Sequence, residues 1–356
     1  MRKKSFEFLT KYLNNPSPTG FEDSGQKLWL EYIKPYIDDY ISDIYGTVVG
    51  VVNPKSDYKV IIEAHADEVS WFVNYITEEG YIYLKRNGGA DHQIAPSKRV
   101  NIHTENGIVK AVFGWPAIHI RDRQKEEPPS LKNIFLDCGC ESRKEVENLG
   151  IHTGCVVTYD DDMFVLNDKY IVGRALDNRL GGFVIAEVVR LLKENNKNLK
   201  FGLYIVNSVQ EEIGLRGAQM ISNRINPNLA LVTDVCHDTY SPMYEKKIEG
   251  DIKCGKGPVL TYGPSVQRNV LKLLINTAEK TKIKFQRNAV SSSTGTDTDA
   301  IAYSGMGVPS ALVSIPLKYM HTTVEMAHTQ DVEMVIKLIY EFLLRVKPFE
   351  DFRYIK

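Results

Sequence analysis

The sequence predicts an α/β protein: a doubly wound, mainly parallel sheet with an inserted all-β, barrel-like domain. Three observations predict it. Towards both ends of the chain, apolar runs of strand length alternate with amphipathic helical stretches, the pattern of parallel strand–helix–strand units. Between about residues 69 and 168 the helical period disappears, and short strand-like runs follow one another between turns, as in small barrels or sandwiches. The length of 356 residues also exceeds what one core usually holds, so two domains are expected. The expected division is 1–68 with 169–356, interrupted by 69–168.

In order along the chain, two helices are expected over 6–14 and 22–37, separated by the turn-rich NPSPTG. Strands follow over 47–52 and 59–64, the second running straight into His65. In the insertion, WFVNYI, YIYLK, RVNIH, GIVKAVF, NIFLD and CVVTYD read as strands, and the polar RDRQKEEPPSLK as an exposed loop. Beyond Asp168 helix 180–194 leads to strand 201–209, and helix 218–225 to strand 229–233. Helix 269–282, a strand near 284–290, helix 299–303 and strand 311–315 come next, and helix 329–345 closes the pattern.

Composition narrows the function. Hydrophobic residues make up 43% and charged residues 25%, and the formal net charge is -1, so no basic stripe offers itself to nucleic acid. No apolar run approaches the roughly 18 residues of a membrane helix. The opening MRKKSFEFLTKYLNN lacks the apolar stretch and small-residue cleavage site of a signal peptide and reads as an amphipathic helix. The cysteines are Cys138, Cys140, Cys155, Cys236 and Cys254. An odd set without a framework points to reduced thiols and a cytoplasmic location.

Five candidate metal ligands share one structural position. His65, Glu212 and Asp234 end or follow strands, His321 lies a few residues beyond strand 311–315, and Asp177 is expected as the N-cap of helix 180–194. Ligands of open α/β sheets bind outside the carboxyl ends of the strands. Two imidazoles and three carboxylates suit Zn²⁺, Co²⁺ or Mn²⁺. In His65-Ala66-Asp67 the carboxylate two residues on can accept the ring N–H that a metal does not use. Glu211 and Glu212 would repel each other after an apolar strand unless a cation held one and a proton the other.

The segments EAHADEV, GRALDNRLGG, SVQEEIGLRGAQMI, GTDTDAIA and YMHTTVEMAH resemble, in order, the signatures of the M42 metallo-aminopeptidases. That group comprises glutamyl, leucyl and lysyl aminopeptidases, among them tetrahedral self-compartmentalising enzymes. The resemblance covers nearly the whole chain, including GGADHQIAPSKRV in the insertion. It implies two divalent ions per subunit: Asp177 bridges both, His65 and Asp234 hold one, and Glu212 and His321 the other. It further implies Glu211 as general base to a metal-bridged water, Asp67 as partner of His65, and peptides as substrates. The insertion becomes a dimerisation domain, with assembly from dimer up to dodecamer. Two departures stand out. His321 is followed by Thr-Thr where the family often has Ser-Pro, and Ser292-Ser293-Thr294 replaces a more Gly-rich run.

The alternatives are a related carboxypeptidase or deacylase, in which Arg174 or Arg179 would meet a terminal carboxylate, and an endoglucanase. The latter needs two carboxyls roughly 5 to 9 Å apart, facing each other across a sugar, which adjacent Glu211 and Glu212 suit poorly. No G-x-S-x-G elbow supports a serine hydrolase.

Overall fold

The computed structural model describes residues 1–355 apart from Arg123 and Lys125; those two, within the expected loop RDRQKEEPPSLK, lie outside the described residues. Four strands form the parallel centre of the large sheet, in the order Gly202–Ser208, Lys59–His65, Leu229–His237 and Ser310–Lys318. Their sequences are nearly unbroken apolar runs because both faces are covered, and Gly202–Ser208 is buried throughout. Antiparallel strands flank this centre. Val48–Val52 and Asp39–Ser42 lie on one side; Glu325–His328, Tyr170–Gly173 and Phe164–Leu166 lie on the other. Phe164–Leu166, inside the range 69–168, thus pairs in the large sheet.

Side-chain alternation along one strand shows that helices cover both faces. Asn207 bonds to the Tyr12 hydroxyl of helix Lys3–Asn14 at 3.0 Å and to Gln26 of helix Asp23–Ile33 at 2.8 Å. Its neighbour Ser208 points the other way, to Asp297 at the start of helix Asp297–Ala302, at 2.7 Å. The single helix expected over 22–37 is shorter: it ends at Ile33, and a 3-10 turn Lys34–Tyr36 follows. Pro35 has no N–H to continue the α-helical ladder.

Six antiparallel strands close into a barrel: Ser70–Ile76, Ile82–Asn87, Phe135–Asp137, Gly107–Gly114, Arg99–Thr104 and Val156–Tyr159. Its separate core is built around Trp71, Phe113, Ile82, Val100 and Leu136. Trp71 meets Phe113 edge-on with ring centroids 5.8 Å apart, a favoured aromatic geometry. The barrel leans on the rim of the large sheet. Lys98 donates to the Thr323 hydroxyl at 2.5 Å, and Asn87 donates to the Thr19 carbonyl at 2.8 Å.

Candidate active site

All seven residues singled out from the sequence meet at the carboxyl rim of the parallel strands. His65 is the last residue of its strand and is almost wholly buried. Its Nε2 lies 3.2 Å from Asp177 Oδ1, and 3.9 Å from both Glu211 Oε2 and Asp234 Oδ1. His321 enters from the turn after Ser310–Lys318, and its Nε2 lies 3.4 Å from Asp177 Oδ2 and 3.4 Å from Glu212 Oε1. Asp177 therefore stands between the two imidazoles, one oxygen facing each.

Local structure explains these placements, and in one case corrects the expectation. Asp177 is not the side-chain cap of its helix. The carboxamide of Asn178 instead accepts the Gly181 N–H at 3.1 Å, which leaves the Asp177 carboxylate free for the two rings. Glu211 and Glu212 sit on the turn after Gly202–Ser208. That turn is pinched where Gly217 N–H donates to the Val209 carbonyl at 2.9 Å. A Cβ at Gly217 would lie 2.3 Å from that oxygen, so only glycine permits the approach.

Asp67 does more than face His65, whose Nδ1 is 3.4 Å from Asp67 Oδ1. Oδ1 accepts the Glu211 N–H at 2.9 Å and Oδ2 the Glu212 N–H at 3.2 Å. Thr19 donates its hydroxyl to Oδ2 at 2.8 Å. One buried carboxylate thus ties the His65 strand to the turn carrying both glutamates. Sequence reasoning missed a second such clamp, Glu325. Its Oε1 accepts the His321 N–H at 2.7 Å and its Oε2 the Asp177 N–H at 3.1 Å. A buried-strand acid four residues after His321 was the available signal.

Electrostatics make the cluster costly when it holds no cation. Burial pushes the Glu211 carboxyl up to about 10, against the pull of His65 and with the help of Asp234 and other acids. Burial likewise raises Asp234 and Glu212. Burial would lower both imidazoles, but carboxylates overcome it: Asp177 and Glu212 hold His321 up at about 11, and Glu211 with Asp177 raises His65. For Asp177 the two imidazoles overcome burial and hold its carboxyl below the usual range. The shared cause is that buried carboxyls of like charge crowd one small volume, where added positive charge is favoured.

A divalent cation would supply that charge. Donor atoms able to meet a cation converge: those of His65, Asp177 and Glu212 lie within 4.8 Å of one another, and so do those of His65, Asp234 and the neighbouring acid Glu211. The buried His65 Nδ1 atom, without a hydrogen bond among the described residues, faces Asp67 at 3.4 Å, so Nε2 is the nitrogen turned to the cluster. The oxygen and imidazole donor set suits zinc and its neighbours.

A family profile described as M42 glutamyl aminopeptidase matches residues 46–338. The chain belongs to the M42 aminopeptidase family. It is therefore a peptide hydrolase, of a metal-dependent family. Lysyl aminopeptidase of Pyrococcus furiosus is 30% identical over 348 residues, 97% of this chain and 98% of that protein. The TET aminopeptidase of a marine-sediment Thaumarchaeota archaeon superposes with a TM-score of 0.92 at 29% identity, covering 97% of this chain and 98% of that one. Pyrococcus horikoshii TET1 peptidase, which assembles into a tetrahedron or a large octahedral shell, gives 0.84 at 28% identity, covering 96% and 100%. The M42 match spans both the large sheet and the barrel.

Proposed function

We propose that this M42 protein removes N-terminal residues from peptides with two divalent cations, zinc or alternatively cobalt or manganese. Asp177 would be shared between them, His65 and Asp234 would hold one, and Glu212 and His321 the other. The observation that carries this reading is Asp177, whose two oxygens face two different imidazoles at 3.2 and 3.4 Å. Such cations supply a water of lowered pKa and polarise the scissile carbonyl.

The protein's own groups then divide the work. Glu211 accepts a proton from the attacking water and delivers it to the leaving amine. Its Oε2 reaches the His65 side of the cluster while its backbone is fixed by Asp67. Asp67 also lies 3.4 Å from the His65 ring nitrogen Nδ1, and Glu325 holds the backbone on which Asp177 and His321 stand. Burial excludes bulk water and strengthens each of these interactions.

Residues 69–168 act as the dimerisation domain, while 1–68 with 169–356 form the catalytic one. Assembly runs from dimer up to dodecamer, as the TET relatives suggest. A cytoplasmic location is supported by five free cysteines. Among the described residues no helix is long and apolar enough to cross a membrane.

The carboxypeptidase alternative loses its cations. Arg174 is buried against Glu68, and the fully buried Arg179 donates to the Asn15 carbonyl and lies over the Tyr12 ring. The decisive experiment assays metal-reconstituted protein on aminoacyl-nitroanilides and their N-acetylated counterparts. Free-amine substrates should be cleaved and acetylated ones spared, with activity lost on chelation. Equal cleavage of both sets would replace this reading with a deacylase or endopeptidase.

A further inference from the structure

The ligand cluster opens into a cavity of about 450 Å³, part of whose wall is Asn288, Ala289 and Val290. These residues belong to, or directly follow, strand Gln286–Ala289. That strand pairs in parallel with Val259–Tyr262 and, among the described residues, with no other strand. Gln286 N–H donates to the Pro258 carbonyl at 2.8 Å, and Val290 N–H to the Tyr262 carbonyl at 2.8 Å. In a parallel ladder, alternate residues turn both backbone groups towards the same neighbour. Gln286, Asn288 and Val290 therefore face Val259–Tyr262, and Arg287 and Ala289 present theirs outward. Both are exposed, and on the side to which their backbone groups turn no strand pairs with them among the described residues.

An unpaired strand edge is a template for an extended chain. Here the edge opens into the same cavity as the cluster, whose remaining wall includes the apolar Val235, Ile248 and Ile252. We propose that Arg287–Val290 is a docking edge for the main chain of the peptide substrate, which lies along it as an added strand with its free amino end at the cluster. The proposal rests on the aminopeptidase reading given above. The shared cavity selects the occupant: a peptide hydrolase must hold an extended backbone beside its reacting groups. Backbone pairing also grips a chain without reading its side chains, so it suits peptides of varied sequence.

Pairing of this kind has a signature that general crowding lacks, because only every second substrate amide faces the edge. The test uses metal-loaded enzyme and one free-amine pentapeptide, N-methylated at a single non-scissile amide at a time. An aminoacyl-nitroanilide, which has no further backbone, serves as the short substrate. Alternate methylations should lower kcat/KM by about 3- to 10-fold, the worth of one hydrogen bond, and the intervening one should not. Ala289→Pro removes the outward N–H at an edge position where proline is tolerated. It should lower the ratio of pentapeptide to nitroanilide kcat/KM by a similar factor, through KM. Uniform or absent sensitivity to methylation in a peptide that is cleaved, or an unchanged ratio in Ala289→Pro, overturns the docking edge. If neither parent peptide nor nitroanilide is cleaved, the aminopeptidase reading falls and takes the docking edge with it.

Discussion

Glu211 and Glu212 are neighbours in the chain, yet their carboxylates reach different imidazoles, His65 for one and His321 for the other. Successive side chains on a turn leaving a strand diverge, so one peptide can serve both a proton and a cation. On the proposed roles, Glu211→Gln removes a base and no ligand, so both ions should stay bound while kcat falls by about 10² to 10⁴. Glu212→Gln should lose one ion and regain part of its activity in excess metal. Metal stoichiometry and kcat measured on both variants check this, and loss of metal from Glu211→Gln instead would reverse the roles. A third acid, Glu22, which accepts the Gln210 N–H at 3.2 Å beside the turn of the two glutamates, gives a pH prediction. Burial, aided by the charge of Asp67, pushes its carboxyl up to about 8 from 4.5. The unfolded chain ionises this group near 4.5 and the folded chain only near 8, so its presence weighs against the fold increasingly between those pH values. Glu22→Gln should therefore gain in Tm relative to the parent on going from pH 5 to pH 8. A Tm difference that does not move with pH would show that Glu22 titrates normally.

Among elements, the junction between barrel and sheet bears directly on the site. Gly89, just beyond barrel strand Ile82–Asn87, packs against His321; a Cβ there would lie 2.6 Å from Nδ1 and 2.7 Å from Cε1. Contacts that close do not occur without movement, and the imidazole is the part with room to move, being about a third exposed. Gly89→Ala should thus weaken one cation by about 10- to 100-fold, the usual cost of disturbing a ligand's support. The metal-free protein should unfold much as before. Competition with a metal-sensitive chelator reads the affinity; unchanged binding of both ions would mean that the loop yields instead of the ring.

At the scale of the whole molecule, the barrel contributes no ligand to the cluster, but it displays exposed apolar side chains. Ile108, Val112, Ile118 and Ile120 are all more than two-fifths exposed. Together with the TET relatives' assembly, these side chains support the proposal that the barrel carries the contact between copies. Light scattering should therefore give a particle mass at a multiple of 40.4 kDa. A lone monomer at micromolar concentration would remove the assembly role from residues 69–168.

The order of strands and helices and the residues of the cluster were legible in the sequence itself. Buried parallel strands write themselves as apolar runs, and ionisable residues at the ends of such runs are too costly to leave without a partner. That pattern named His65, Glu212 and Asp234; family resemblance supplied the proposal that they divide between two ions and that Glu211 handles the proton. Tertiary structure alone decided the rest. The antiparallel flanks Asp39–Ser42, Tyr170–Gly173 and Glu325–His328 are too short to carry a period of their own, and they form because a sheet edge offers them hydrogen bonds. Asp177 looked like a helix cap, and only the carboxamide of Asn178 taking over that duty freed its oxygens for the two rings. Glu325 and the outward face of Arg287–Val290 acquire their meaning from residues distant in the chain. Local sequence fixes which backbone groups need partners, but it does not say which partners the fold will bring.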